Sequence, residues 1–408
     1  MNIKTCVKAD DLPRHYNQTV APGWKVKSNL KVDGRARGES DRLRKTVVAL
    51  FVLFMIVALG GGVTGSTKAA EVERGDQTLR CTAEQGQLFI EEGRYEHAIR
   101  EFTCVIKAQP TEVEGYRGRI EAELLLGQYS NALADHGRIT AFVLPVHPDA
   151  KKTIFEGYAD RLAVAPQSIP ALTGASFARW TSFDYAIAIH LLNRLLNAQP
   201  DNVYGNLFRG SSSLLHGSNT ANGRAYLEYA IALDPMSADL RFIVADAYTY
   251  GLHDPARAFA EASLALNRGL DTPRVHAILA VSYTAFGNQL AAAAEIKTHI
   301  EQVTTQLVPT SPLAAGTSLS LPLVPGRTYE IPISVMAGQP ISISTSSRDF
   351  YDTIIVLLAP DGTPVISSDD ANSYFAAFDW VAQVTGTYRL RATSFESVDT
   401  GNLVVGRD

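Results

Sequence analysis

Three textures of apolar and polar residues succeed one another along the chain. Thr46 to Thr67 carries no charge, and Val47–Leu59 within it is apolar throughout. Twenty-two helical residues at about 1.5 Å each reach across a bilayer core of about 30 Å, so this segment predicts a hydrophobic helix. From about residue 78 to 305 the apolar periodicity is helical, with Gly and Pro at intervals that mark short turns. After Gln306 the period becomes two: Ile331/Ile333/Val335, Ile341/Ile343, Phe378/Trp380/Ala382 and Tyr388/Leu390/Ala392, with one unbroken apolar run, Ile354–Leu358. Turns fall at Ala337-Gly338, Pro360-Asp361-Gly362 and Thr385-Gly386, which predicts seven or eight short strands in a β-sandwich.

Within the helical stretch, Gly93-Arg94-Tyr95-Glu96-His97-Ala98 recurs 34 residues on as Gly127-Gln128-Tyr129-Ser130-Asn131-Ala132. Gly86, Phe89, Phe102 and Pro110 surround the first copy. In a helical hairpin the small residues let two helices approach, the aromatics fill the space between them, and the proline stops the second helix. Later units follow from Tyr185/Ala188/Leu192/Pro200, then Gly210/Gly217 with Ala230–Pro235, then Tyr248/Ala258/Ala262/Ala265, then Leu279/Ala280/Tyr283/Gly287/Ala292. Residues 140–168 break the register, although 150–164 reads as a helix. The pattern resembles the tetratricopeptide repeat, whose unit is a 34-residue helix–turn–helix. Single units cannot bury their own apolar faces, so stacking into one α-solenoid is expected.

The resemblance implies which positions line the concave groove: Arg80, Gln87, Arg117 and Glu121 in the first two units, then Phe177, Trp180, Tyr204, Leu207, Phe242 and Tyr250. Such a groove, polar at one end and aromatic at the other, would suit a peptide with apolar anchors. The alternative is that these aromatics pack against neighbouring helices. The subgroup that clamps a C-terminal carboxylate uses Lys and Asn where this chain has Ala83 and Gln87, so that clamp is not expected. Cys81 and Cys104 fall on antiparallel helices of the first unit, where they form either a disulfide or two buried thiols.

The β segment resembles the bacterial pre-peptidase C-terminal domain, a small sandwich appended to secreted proteins. Val335-Met336-Ala337-Gly338-Gln339, Phe350-Tyr351-Asp352-Thr353, Leu358-Ala359-Pro360-Asp361-Gly362, Asp369-Asp370 and Gly386-Thr387-Tyr388-Arg389-Leu390 carry the likeness. The family usually follows a protease domain, and none precedes this copy. Asp352, Asp361, Asp369 and Asp370 are either a loop site for Ca²⁺, which takes six to eight oxygens, or turn caps bonded to backbone amides. No other cofactor is expected.

The architecture predicted is thus multidomain α + β. It comprises a disordered tail over 1–45, a hydrophobic segment over 46–67, repeats over 78–305, a linker over 306–325 and a sandwich over 326–408, with strands beginning near 312 in one version. Charge refines this picture. Residues 1–45 sum to +6 and residues 307–408 to −5, within an overall charge of −5 that excludes a broadly basic nucleic-acid binder. Arg42, Arg44 and Lys45 precede the hydrophobic segment, which places the tail in the cytoplasm and exports the rest, as a single-pass membrane protein or, after cleavage, a secreted one. The chain has no His-Glu-x-x-His, Gly-x-Ser-x-Gly or Cys-x-x-Cys motif. The expected function is therefore a non-enzymatic scaffold for a protein or peptide. An accessory subunit of an extracellular hydrolase, its sandwich contacting substrate or polymer, is the alternative.

Overall fold

Gly93 and Gly127, the paired glycines of the 34-residue repeat, both adopt left-handed backbone, with φ of 73° and 76°. That conformation suits glycine and reverses the chain within a few residues. A computed structural model describes residues 81–139, 143–144, 146–217, 219–324, 326–346, 353–369, 375–394 and 401–408. The basic tail and the uncharged segment 46–67 lie outside them, and no helix among the described residues is long and apolar enough to cross a membrane.

The helices are α1 Ala83–Glu91, α2 Tyr95–Ala108, α3 Val113–Leu125, α4 Tyr129–Arg138, α5 Ala150–Val164, α6 Ile169–Trp180 and α7 Tyr185–Ala198. They continue with α8 Val203–His216, α9 Thr220–Leu233, α10 Ala238–Ala247, α11 Pro255–Asn267, α12 Pro273–Ala285 and α13 Gln289–Val303. Side-chain caps fix several of their starts. Thr82, Ser168, Asn202, Ser237 and Asp254 each accept from the backbone N–H three residues on. Pro255 and Pro273 occupy first helical positions, where no N–H is needed.

Short turns pair the helices into hairpins, and neighbouring hairpins pack side by side as a tetratricopeptide-like solenoid. The second helix of one unit lies on the first helix of the next: α2 on α3, α7 on α8, α11 on α12. Small residues set the spacing. A Cβ on Gly86 or Gly118 would fall 2.6 or 2.1 Å from the Phe102 ring, which wedges between α1 and α3. A disulfide joins Cys81 to Cys104, with Cα atoms 5.9 Å apart, and ties the start of α1 to α2.

The second unit departs from the pattern. Its second helix, α4, does not occupy the layer; α5 does. Gly157 of α5 leaves room for the Arg117 guanidinium of α3, and the Tyr158 ring covers Gly174 of α6. α5 thereby packs on both α3 and α6, as a unit's second helix should. Displaced, α4 crosses the face formed by the first helices and reaches α10, where the Ser130 N–H donates to Asp239 over 2.6 Å.

Nine strands follow among the described residues: β1 Gln306–Pro309, β2 Thr317–Leu323, β3 Arg327–Val335, β4 Pro340–Ser346, β5 Thr353–Leu358, β6 Pro364–Ser368, β7 Ala377–Val381, β8 Gly386–Ser394 and β9 Gly401–Arg407. They form two sheets, ordered β1-β3-β8-β5-β6 and β2-β9-β4-β7. Residues 306–325, expected as a linker, contribute strands β1 and β2. Their prolines are tolerated because both strands lie at sheet edges, with no ladder to supply on one side.

The unbroken run in β5 has a direct cause. Ile355 and Leu357 enter the core between the sheets. Ile354, Val356 and Leu358 face the other way, onto Ala277, Ala280, Ile296 and Ile300 of the last hairpin. Both faces of the strand are buried, so alternation disappears. Arg391 of β8 adds ion pairs to Glu301 of α13 (2.9 Å) and Glu330 of β3 (3.1 Å) beside this contact.

Candidate partner-binding surface

The aromatic positions expected to line an open groove are core. Phe177 and Trp180 of α6, Tyr204 of α8 and Phe242 of α10 are each no more than 4% exposed, and Leu207 is fully buried. Phe208, which the repeat register does not single out, sits at their centre. Its ring lies 4.5 Å from Tyr204, 5.2 Å from Trp180 and 5.9 Å from Phe177, centroid to centroid. The polar ends are satisfied inside: Trp180 Nε1 donates to Ser211 Oγ at 3.2 Å, and Tyr204 OH donates to the Thr173 carbonyl at 3.1 Å. Tyr250, in a π-turn after α10, is only partly exposed and lies under the Arg274 guanidinium at 5.0 Å.

What covers this face is the chain itself. Tyr129 of α4 packs edge-on to Phe208 at 5.6 Å, and His136 packs edge-on to Phe177 at 6.3 Å. Leu133, Ile139 and Val143 join the same apolar cluster. The register thus put the aromatics on the first-helix face, and α4 fills that face. A small cavity of about 30 Å³ between α4, α5 and α6 is all that is left beside His136 and Phe177.

The polar end is corrected likewise. Glu121 is fully buried and takes both terminal nitrogens of Arg161 from α5, at 2.6 and 2.9 Å. Arg117 lies over the Tyr158 ring at 5.7 Å. Both residues hold α5 on α3 and do not form a recognition surface. Gln87 is half-buried, and Arg80 lies outside the described residues.

A second buried charge cluster holds α4 to α3. Arg119 clasps Asp135 with two bonds of 2.6 and 2.7 Å, and Arg138 adds a third at 2.5 Å. Burial and the neighbouring Asp135 carboxylate push Glu123 up to about 9, so this side chain is a neutral acid at pH 7. Burial pushes His136 down to about 4, so its imidazole is neutral too.

Of the acidic loop residues of the sandwich, Asp352 and Asp370 lie outside the described residues. Asp361 accepts from the Thr363 N–H at 2.9 Å, which closes the turn between β5 and β6. Among the described residues, no group of three or more His, Cys, Asp or Glu side chains is placed to hold a metal ion.

An open cleft on the solenoid has a volume of about 570 Å³. It lies between the end of α3, Tyr129 of α4, Thr173 of α6 and the loop from α7 to α8. The solenoid and the sandwich each have likenesses among solved structures. A tetratricopeptide repeat protein from Parabacteroides merdae is 16% identical over 55% of this chain and 78% of its own, with a TM-score of 0.34. A thermophilic tetratricopeptide repeat protein from Thermus thermophilus is 18% identical over 54% of this chain and 89% of its own, with a TM-score of 0.25. The pre-peptidase C-terminal domain of a Bacillus anthracis collagenase is 15% identical over 25% of this chain and 95% of its own, with a TM-score of 0.22. No protein-family model matches the chain, and no curated protein matches it.

Proposed function

We propose that the chain is an exported, non-enzymatic scaffold whose solenoid holds a protein or peptide. The observation that carries the reading is the 570 Å³ cleft, an open hollow within the range of about 300–1,000 Å³ typical of ligand sites. It is walled by three different units of the repeat, so its shape depends on the stacking as a whole. The aromatics of the first-helix face do not anchor the partner, because α4 occupies that face.

Export rests on the basic residues before segment 46–67 and on Cys81–Cys104, a pair whose oxidised form belongs to an oxidising compartment. The test has two parts. A reporter that works only outside the cytoplasm, fused after Asp408, should be active; inactivity would contradict export. The immobilised full chain should retain a saturable protein partner from the cell envelope; retention of none would contradict the scaffold.

A further inference from the structure

The charged side chains on the wall of the 570 Å³ cleft are all acidic. Asp201 and Asp234 both line it, and no Lys, Arg or His does. Asp201 is exposed and accepts from the Tyr229 hydroxyl at 2.5 Å. Asp234, half-buried at the end of α9, has no side-chain partner among the described residues. Arg241 and Arg268 donate to the carbonyl of the next residue, Pro235, and Arg241 also pairs with Glu261. Deeper in, Thr173 is 1% exposed and its Oγ1 has no hydrogen-bond partner. A buried polar atom left this way is unfavourable, and an occupant that bonded it would satisfy it.

The rest of the wall is mixed: Leu125, Tyr129 and Val203 give it apolar surface, and Gln199 and Asn202 line it with amides that bond to each other at 2.9 Å. Behind Tyr129 stands a third carboxylate, Asp239, held by the Ser130 N–H. Burial first, then Asp234 and Asp239, push the Tyr129 hydroxyl up, a sign that the field at this point is negative. Apolar surface beside two carboxylates and an orphan hydroxyl suits one type of side chain: an aliphatic stem that carries a cation with several N–H donors.

We infer that this cleft is a subsite for a Lys or Arg side chain of the partner peptide. The inference rests on the scaffold reading and names the chemistry of its occupant. Asp234 supplies the unpaired charge, Asp201 the second carboxylate, Thr173 Oγ1 an acceptor at the bottom, and Leu125 with Val203 the walls along the stem.

The experiment is fluorescence anisotropy of the full chain with a set of labelled hexapeptides. They share an apolar frame and carry Lys, Arg, Gln or Glu at the third position. The expected result is binding of the Lys and Arg peptides, weaker binding of Gln, and none of Glu. Asp234→Asn should weaken the cationic peptides by roughly tenfold and flatten their salt dependence, while leaving the Gln peptide unchanged. Its melting temperature should stay the same, because Asp234 makes no side-chain bond that folding needs. Thr173→Val tests the bottom of the cleft, and should weaken the cationic peptides without unfolding the chain. Equal binding of cationic peptides to the wild type and to Asp234→Asn would overturn the subsite and leave the scaffold standing. So would a preference for Glu or Gln. No binding by any peptide would overturn the subsite, and a scaffold that holds peptides with it.

Discussion

Trp180 shows how far a residue's neighbours can be read from a repeat. Its place on the first helix of its unit is set by local sequence, yet whether that face is wet depends on a helix some 45 residues earlier in the chain. The structure buries it at 4% exposure against Phe177 and Phe208. Trp180→Ala should therefore lower folding stability by about 3–5 kcal/mol through the cavity it leaves, read as a fall in melting temperature. A melting temperature within a degree of the wild type would mean that the ring faces solvent. The small–large pairs were legible, because Gly86 and Phe102 mark a close approach whichever helix comes next. Glu121 with Arg161, 40 residues apart, was not: charged residues read as surface until a partner is seen, and no local spacing joins these two.

At the scale of elements, the same string that announced a hairpin at Gly93 announced one at Gly127, and both hairpins form. What the string could not carry is which helix follows in the layer. That choice is made by α5, through Gly157 against Arg117, Tyr158 against Gly174, and Arg161 on Glu121. Residues 140–168 interrupted the repeat in sequence because Ala150–Val164 within them builds this substitute second helix. If the ion pair is what seats α5, Arg161→Ala strands a buried carboxylate and should cost about 3–5 kcal/mol. Chemical denaturation measures this directly, and a loss below about 1 kcal/mol would show that α5 is seated by its apolar contacts alone.

Across the whole molecule, the strand with the unbroken apolar run, β5, is buried on both faces. Its outward residues Ile354, Val356 and Leu358 meet the last helical hairpin. The switch of period near residue 306 was readable as a change of fold, while the apolar seam between the two parts was visible only as that unbroken run. A fragment of residues 306–408 should show a β-type far-UV spectrum, melt below the sandwich of the whole chain, and self-associate as its concentration rises, because the stripe is bared. A monomeric fragment with undiminished melting temperature would mean that the seam adds nothing to the sandwich.

Helix α4 lies on the first-helix face and closes it to a partner. Native-state hydrogen exchange of the α4 amides, residues 132–138, tests this without knowledge of any partner. A helix clasped by Arg119 on Asp135 and packed on Phe208 and Phe177 should exchange as slowly as α6 and α8, through large-scale opening alone. Exchange orders of magnitude faster than α6 and α8, at the rate of a fraying surface helix, would contradict it and reopen the aromatic face to a partner.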